Sequence, residues 1–329
     1  MRSTCLLLLG LMLLGPTATT AQTRPVPLIF DTDFGPDYDD VGAIALLHAF
    51  ADSAQVEILA TVASTNYPRV GQVIHAFNTY FGRPELPIGV PKGKAVSTRD
   101  SQGWSDLVLE RYPHHAKPND QLPDAVAVYR QQLARRADRS VTIVTVGFLT
   151  NLANLLDSKP DKYSRLSGRE LVAQKVGRLV CMAGKFPQGR EFNVHEDAPA
   201  AQKVFEQWPT EIVFSGFEIG QKIKTGLPLI QNAAIQSSPV QDVFALCIPK
   251  AKEDQAGRMS WDQTAVLVAA LGAEPYYTLA PGRIVTKDDG SNTWDATKSG
   301  HFHLVEKMPV EQVTRRIDHW MQHPPRKKR

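Results

Sequence analysis

Five carboxylates crowd into ten residues near the start of the chain: Asp31, Asp33, Asp37, Asp39 and Asp40. An apolar run at 26–30 leads into them and an apolar helical pattern begins at Val41, which puts the acids on a loop between a strand and a helix. Like charges this close raise one another's pKa values unless a cation or hydrogen-bond donors compensate. A hard divalent cation is the direct remedy. Calcium takes about 6 to 8 oxygen ligands and magnesium keeps several waters, whereas zinc favours nitrogen and sulfur. Asp39 and Asp40 also suit the positive start of the helix, so capping accounts for part of the cluster, though not for all five acids.

The elements that would position these groups read as an α/β succession. A helix over 39–50 is followed by a strand at 56–63 that ends in Ser64-Thr65-Asn66, a helix over 70–81 and a short strand at 87–90. A helix over 124–136 precedes a strand at 140–146, and Gly147 turns the chain into a helix over 152–156. Strands at 179–182 and 211–216 flank a helix over 199–207. Further helices fall at 240–247, from Asp262 to Ala270 and at 310–320, with a hairpin-like stretch at 290–294. Strands and helices alternating through short turns predict a mainly parallel, Rossmann-like central sheet flanked by helices. Ligands belong at the carboxyl ends of such strands, where the acidic loop, Asn66 and Gly147 fall. Residues 91–123 lack periodicity and hold six Pro or Gly, which predicts a loop surrounding or covering the site. The adjacent His114 and His115 lie in it, and neighbouring histidines point apart more readily than they share a metal.

Composition bounds the rest. The 329 residues are 43% hydrophobic with a formal charge of +3, enough for a substantial core and no basis for nucleic-acid binding. The tail Arg326-Lys327-Lys328-Arg329 reads as a solvated end. Arg2, the apolar run 6–14 and small residues up to Ala21 have the layout of a secretory signal peptide, so residues 1–21 are expected to be removed. Residues 22–329 then form one exported domain, periplasmic or secreted, with no membrane segment after cleavage. Cys181 and Cys247 remain, a buried thiol at Cys181 being the expectation and a single bridge the alternative.

Taken together these stretches resemble the calcium-dependent, inosine/uridine-preferring nucleoside hydrolases. The resemblance rests on Asp31-Thr32-Asp33-Phe34-Gly35 with Asp39-Asp40, then Thr65-Asn66, Val146 to Asn151, Glu191-Phe192-Asn193, and Asp262 heading a helix. It implies a calcium ion on Asp33, Asp40, the carbonyl of Val146 and Asp262. It implies ribose contacts from Asp39, Asn66, Glu191 and Asn193, with Glu191 and Asn193 near the 5′ side, and Asp33 as the base for the attacking water. Cleavage of an N-glycosidic bond builds positive charge on the sugar, which surrounding carboxylates favour.

Three departures stand out. The acidic loop, Gly35-Pro36-Asp37-Tyr38-Asp39-Asp40, is longer than the Gly-x-Asp-Asp of the best-known members and leaves Asp37 without a role. Lys185 stands where the family often has Asn. Trp261 stands where purine- and pyrimidine-cleaving members often have His, and an indole cannot protonate a departing base; it would stack on a base or sugar, or belong to the core. The substrate is expected to be a small ribonucleoside or another ribosylated compound, with a homo-oligomer left open. Two other classes compete: a ribosyl-ligand-binding protein without turnover, and a magnesium-dependent aspartyl phosphohydrolase, which needs a later acidic pair at a strand end that this chain lacks.

Overall fold

The computed structural model describes residues 24–115 and 117–325. Its strands are β1 (Val26–Thr32), β2 (Val56–Ala63), β3 (Ile88–Gly89), β4 (Val141–Thr145), β5 (Val176–Met182), β6 (Gln188–Arg190), β7 (Glu211–Ser215), β8 (Lys224–Thr225), β9 (Arg258–Met259), β10 (Tyr277–Thr286), β11 (Ser291–Asp295) and β12 (His301–Glu306). One ten-stranded sheet runs in the order β3-β2-β1-β4-β5-β7-β12-β10-β11-β6. The strands from β3 to β12 are parallel, and β10, β11 and β6 add antiparallel. The fold is therefore α/β with a mostly parallel central sheet flanked by helices.

Both faces of the sheet are covered. Within β1, Leu28 and Phe30 enter one apolar cluster and Ile29 the other, as expected where successive side chains alternate between faces. The helix Asp39–Asp52 is buried at every residue except Ala51. It packs between the sheet and the helices Trp261–Leu271 and Val310–Met321, so its sequence is apolar almost all round. At Gly42 an added Cβ would lie 2.2 Å from Nε2 of Gln263, so this glycine lets the helices Asp39–Asp52 and Trp261–Leu271 meet at their N-terminal turns.

Adjacent strands end level with one another. Asp31 pairs with Thr145, Thr145 with Cys181, and Met182 with Ser215. The turns after β1, β4, β5 and β7 thus emerge along one edge of the sheet.

The boundaries expected from periodicity hold to within a few residues for the helices Asp39–Asp52, Val70–Tyr80, Ala125–Ala134, Ala198–Gln207, Pro239–Cys247 and Val310–Met321. Several elements differ, β12 and the short strands β6, β8 and β9 among them, and three show why. β10 escaped notice because Pro281-Gly282 in its middle imitates a turn. The helix Gly168–Lys175 carries a capping box on Ser167 and Glu170 that went unread. Residues 91–123 contain the helix Trp104–Arg111, started by Asp100, whose carboxylate accepts from the backbone N–H groups of Gly103, Trp104 (3.1 Å) and Ser105 (3.0 Å). Cys181 and Cys247 are both free and buried, so no bridge joins them. The leader-like residues 1–21 and the basic tail 326–329 lie outside the described residues. No helix of the described residues is long and apolar enough to cross a membrane.

Gly147, just past β4, is a point of close approach between β4 and the acidic loop. A Cβ there would sit 2.6 Å from the backbone nitrogen of Asp33 and 2.6 Å from Oγ of Ser64. Gly147→Ala is expected to lower the free energy of unfolding by about 1–3 kcal/mol, the usual cost of overpacking, in urea titrations. An unchanged midpoint would show that the edge of the sheet yields there.

Candidate active site

β1 ends in Asp31 and Thr32, and these two side chains face the protein rather than a cavity. Asp31 accepts from the Tyr129 hydroxyl (2.7 Å) and the Asn151 amide (3.1 Å), and Asn151 also donates to the carbonyl of Ala63 (2.7 Å). Burial pushes the Asp31 carboxyl up to about 7 against the pull of those donors. Asp31 is thus a tie between strand ends and the helices Ala125–Ala134 and Thr150–Asp157.

The next acid opens onto a cavity of about 310 Å3, the lower end of the size typical of small-molecule sites. Asp33, Asp39, Val146, Glu191, Asn193, Trp261 and Asp262 all line it, together with Asp37, Met182, Phe192, Phe217 and Arg258. Residues separated by more than two hundred positions therefore converge at the carboxyl edge of the sheet. Asp40 lies just behind this lining, buried, with Oδ1 accepting the Thr32 hydroxyl. Asn66 is the exception among the anticipated site residues. Its amide donates to the carbonyl of Gly93 (2.9 Å) and its backbone N–H to that of Val96 (2.7 Å), and it is not part of the cavity lining. Residues 93–98 hold it, so this segment props up the end of β2 instead of covering the cavity. His114 and His115 are also absent from the lining.

Glu191 caps the short helix Phe192–Glu196. It accepts from the backbone N–H groups of Gly184 (3.1 Å), Asn193 (2.8 Å) and Val194 (3.2 Å). Burial nonetheless pushes its carboxyl up to about 7. Asn193 commits its amide nitrogen inward, to the carbonyls of Val146 and Met182 at 3.1 Å each. Trp261 spends its indole N–H on the carbonyl of Phe217 (2.8 Å) and packs against that residue's ring at 5.1 Å, presenting a flat wall. Lys185 reaches over the other part of this wall, 5.1 Å from the Phe217 ring.

Burial is the main cause that holds Asp33 and Asp262 well above the ordinary carboxylate range. Negative neighbours add to it: Asp40, Asp37 and Asp39 for Asp33, and Asp39, Asp40, Asp37 and Asp33 for Asp262. Asp40 is pushed up to about 7, again by burial first and Asp39 next. One cation meets this cluster among the described lining residues. Arg258, buried on β9, pairs with Asp37 (2.5 Å) and Asp39 (2.7 Å). Sequence reading missed it because its segment has no periodicity and its partners lie over two hundred residues away.

The donors fit calcium in type. Asp33, Asp40, the Val146 carbonyl and Asp262 offer oxygen alone, and their uncompensated charge in a buried site asks for a hard cation. No group of three or more His, Cys, Asp and Glu side chains among the described residues is gathered at metal-ligand spacing, so the fit rests on donor type and charge.

The fold is that of the nucleoside hydrolases. A plant nucleoside hydrolase, PpNRh1, superimposes with a TM-score of 0.71 at 18% identity, covering 92% of this chain and 100% of its own. A purine-preferring ribonucleoside hydrolase from Gardnerella vaginalis gives a TM-score of 0.71 at 17% identity over 90% of this chain and 99% of its own. The family model for inosine-uridine preferring nucleoside hydrolase matches residues 28–317, and the chain belongs to that family. Among curated relatives, the non-specific ribonucleoside hydrolase RihC of Klebsiella pneumoniae (strain 342) is 29% identical over 204 residues, 59% of this chain and 62% of its own length. The pyrimidine-specific ribonucleoside hydrolase RihA of Salmonella schwarzengrund is 27% identical over 239 residues, 67% of this chain and 69% of its own.

A carboxyl whose pKa is higher folded than unfolded costs stability once ionised, so stability present at low pH is lost as pH rises through the folded value. Asp31, Asp40 and Glu191 each reach about 7. His48 and His301, lowered by burial to about 3 and about 4, act oppositely, but only below the ordinary imidazole pKa. Between about pH 6.5 and 8 the carboxyls dominate. The urea midpoint of the chelator-treated protein is expected to fall across that interval; a rise would contradict the burial of these acids.

Proposed function

We propose that this protein hydrolyses the N-glycosidic bond of ribonucleosides, giving ribose and free base, with calcium as its resident ion. The observation that carries the reading is the convergence of Asp33, Asp39, Glu191, Asn193 and Asp262 on one cavity edged by an aromatic wall. Asp33, Asp40, the carbonyl of Val146 and Asp262 would hold the ion, which when bound acts as a Lewis acid toward water and offsets the clustered charge. Asp33, raised by burial and by its acidic neighbours, is suited to take the proton of the water that attacks the anomeric carbon. Asp39, Glu191 and Asn193 supply acceptors for sugar hydroxyls, Glu191 and Asn193 toward the 5′ end. The negative charge of Asp39 and Glu191, and the amide oxygen dipole of Asn193, favour the cationic sugar of the transition state over the neutral ground state. Trp261 stacks on the aglycone and orients it, since its N–H is already spent on Phe217. Asn66 acts at one remove, through the Gly93 and Val96 carbonyls, on the end of β2. The leader-like residues 1–21 support export to the periplasm or beyond the cell.

A second reading is favoured by that same Trp261. A wall with no proton to give suits binding of a ribosyl ligand without turnover, or cleavage of a ribosylated compound with an easier leaving group. One similar structure, the effector XopQ, is complexed with adenosine diphosphate ribose; it gives a TM-score of 0.69 at 15% identity over 91% of this chain and 94% of its own.

Ribose release from a panel of purine and pyrimidine nucleosides, with and without a calcium chelator, separates the readings. Chelator-sensitive release is expected; ligand binding with no release would favour the second. Asp33→Ala and Asp262→Ala are each expected to abolish calcium binding in calorimetry and ribose release together. Glu191→Ala is expected mainly to raise KM, the mark of lost sugar binding. Full activity in either aspartate variant would count against the assignment.

A further inference from the structure

Arg258 is the least expected residue of the cavity wall. Nε (3.2 Å) and Nη2 (2.7 Å) both donate to Oδ1 of Asp39, and Nη2 also meets Oδ2 of Asp37 at 2.5 Å. Nη1 faces Oδ2 of Asp254 at 3.8 Å. The guanidinium lies 5.0 Å from the Tyr38 ring and 5.1 Å from the Trp261 ring, and the Tyr38 hydroxyl donates to Asp254 (2.7 Å). Its position and plane are therefore fixed on several sides. Asp37 and Tyr38 are also the residues by which this acidic loop exceeds the shorter Gly-x-Asp-Asp form, and both touch Arg258.

The consequence falls on Asp39. A carboxylate offers about four acceptor positions. Two on Oδ1 are taken by Arg258, and one on Oδ2 by the backbone N–H of Asp262 at 3.3 Å. What is left is a single acceptor position on Oδ2, on a group that cannot turn.

We propose that Arg258 is a positioning residue that locks Asp39 as a one-hydroxyl acceptor, and that Asp37 is the second arm of this clamp, not an extra ligand of the cation. The first half rests on the hydrolase reading above; the second stands without it. The bland account of Asp37, a half-exposed acid joining the metal shell, leaves its short pairing to Arg258 and the placement of Tyr38 unexplained.

The test uses Arg258→Met, Arg258→Lys, Asp37→Asn and the Asp37→Asn/Arg258→Met double variant in the full chain. Calcium alone is titrated by calorimetry. Asp37→Asn should keep its affinity within about threefold, and Arg258→Met should bind as tightly or tighter, because a competing positive charge is gone; even an indirect supporter of a ligand usually costs about 10–100-fold. In ribose release, Arg258→Met should lose about 100-fold in kcat, the scale of a small misplacement, with KM changed far less. Arg258→Lys, which keeps charge but not the fork, should recover part of that loss. In urea titrations of chelator-treated protein, the effects of Asp37→Asn and Arg258→Met on the unfolding constant should be coupled by about threefold or more.

Calcium binding by Asp37→Asn weakened about tenfold or more would overturn the role given to Asp37. Additive effects in urea, or wild-type kcat in Arg258→Met, would overturn the clamp. If the wild-type protein releases ribose from no riboside, the hydrolase reading fails while the calcium and urea measurements still decide whether Asp37 belongs to Arg258.

Discussion

Mutual repulsion among buried carboxylates is the constraint on which the rest of this structure depends. Two unit charges about 4 Å apart at an effective dielectric of about 20 repel by roughly 4 kcal/mol, a large share of a domain's whole stability. Asp33, Asp39, Asp40 and Asp262 are all buried, and burial first and acidic neighbours next hold the carboxyls of Asp33, Asp40 and Asp262 above the ordinary range, so the fold must force the four together by other means. The β1 strand and the helix Asp39–Asp52 do so by being almost wholly buried: the apolar residues on either side of the acidic loop cannot leave without opening the core. Asp262 is brought in by the helix Trp261–Leu271, seated against Asp39–Asp52 where Gly42 admits Gln263. Both helices also direct their positive N-terminal ends at the acids, which eases the repulsion without adding a charged side chain.

Local features of this arrangement were legible in the sequence because they are local in cause. A strand, an acidic loop and a helix in immediate succession can be read from hydrophobic pattern alone, and so can the turn at Gly147. The level ending of β1, β4, β5 and β7, which turns those separate loops into one edge, follows from parallel order and could be anticipated in kind. Register and neighbours could not. Arg258 lies on a strand two residues long, in a stretch with neither period two nor period 3.6, and its importance comes from Asp37 and Asp39 over two hundred positions earlier. Asn66 shows the converse: its place after β2 was right for the site edge, but residues 93–98 fold over it and take its amide. Nothing in the composition of that loop shows which side of β2 it will cross.

The same distinction separates the two ends of the cavity. Asp33, Val146, Glu191 and Asn193 sit just past strand ends or on the short helix that Glu191 caps, so their spacing is set by the sheet. Another part of the lining is built by Phe217, which opens a four-residue helix directly after β7, Arg258 on the two-residue β9, and Trp261 at the head of the helix Trp261–Leu271, and Trp261 packs on the other two. A change in that end can alter the wall without moving the sheet. Sheet geometry therefore constrains the carboxylates at the strand ends far more tightly than the aromatic wall, whose shape a few side chains packed on one another set.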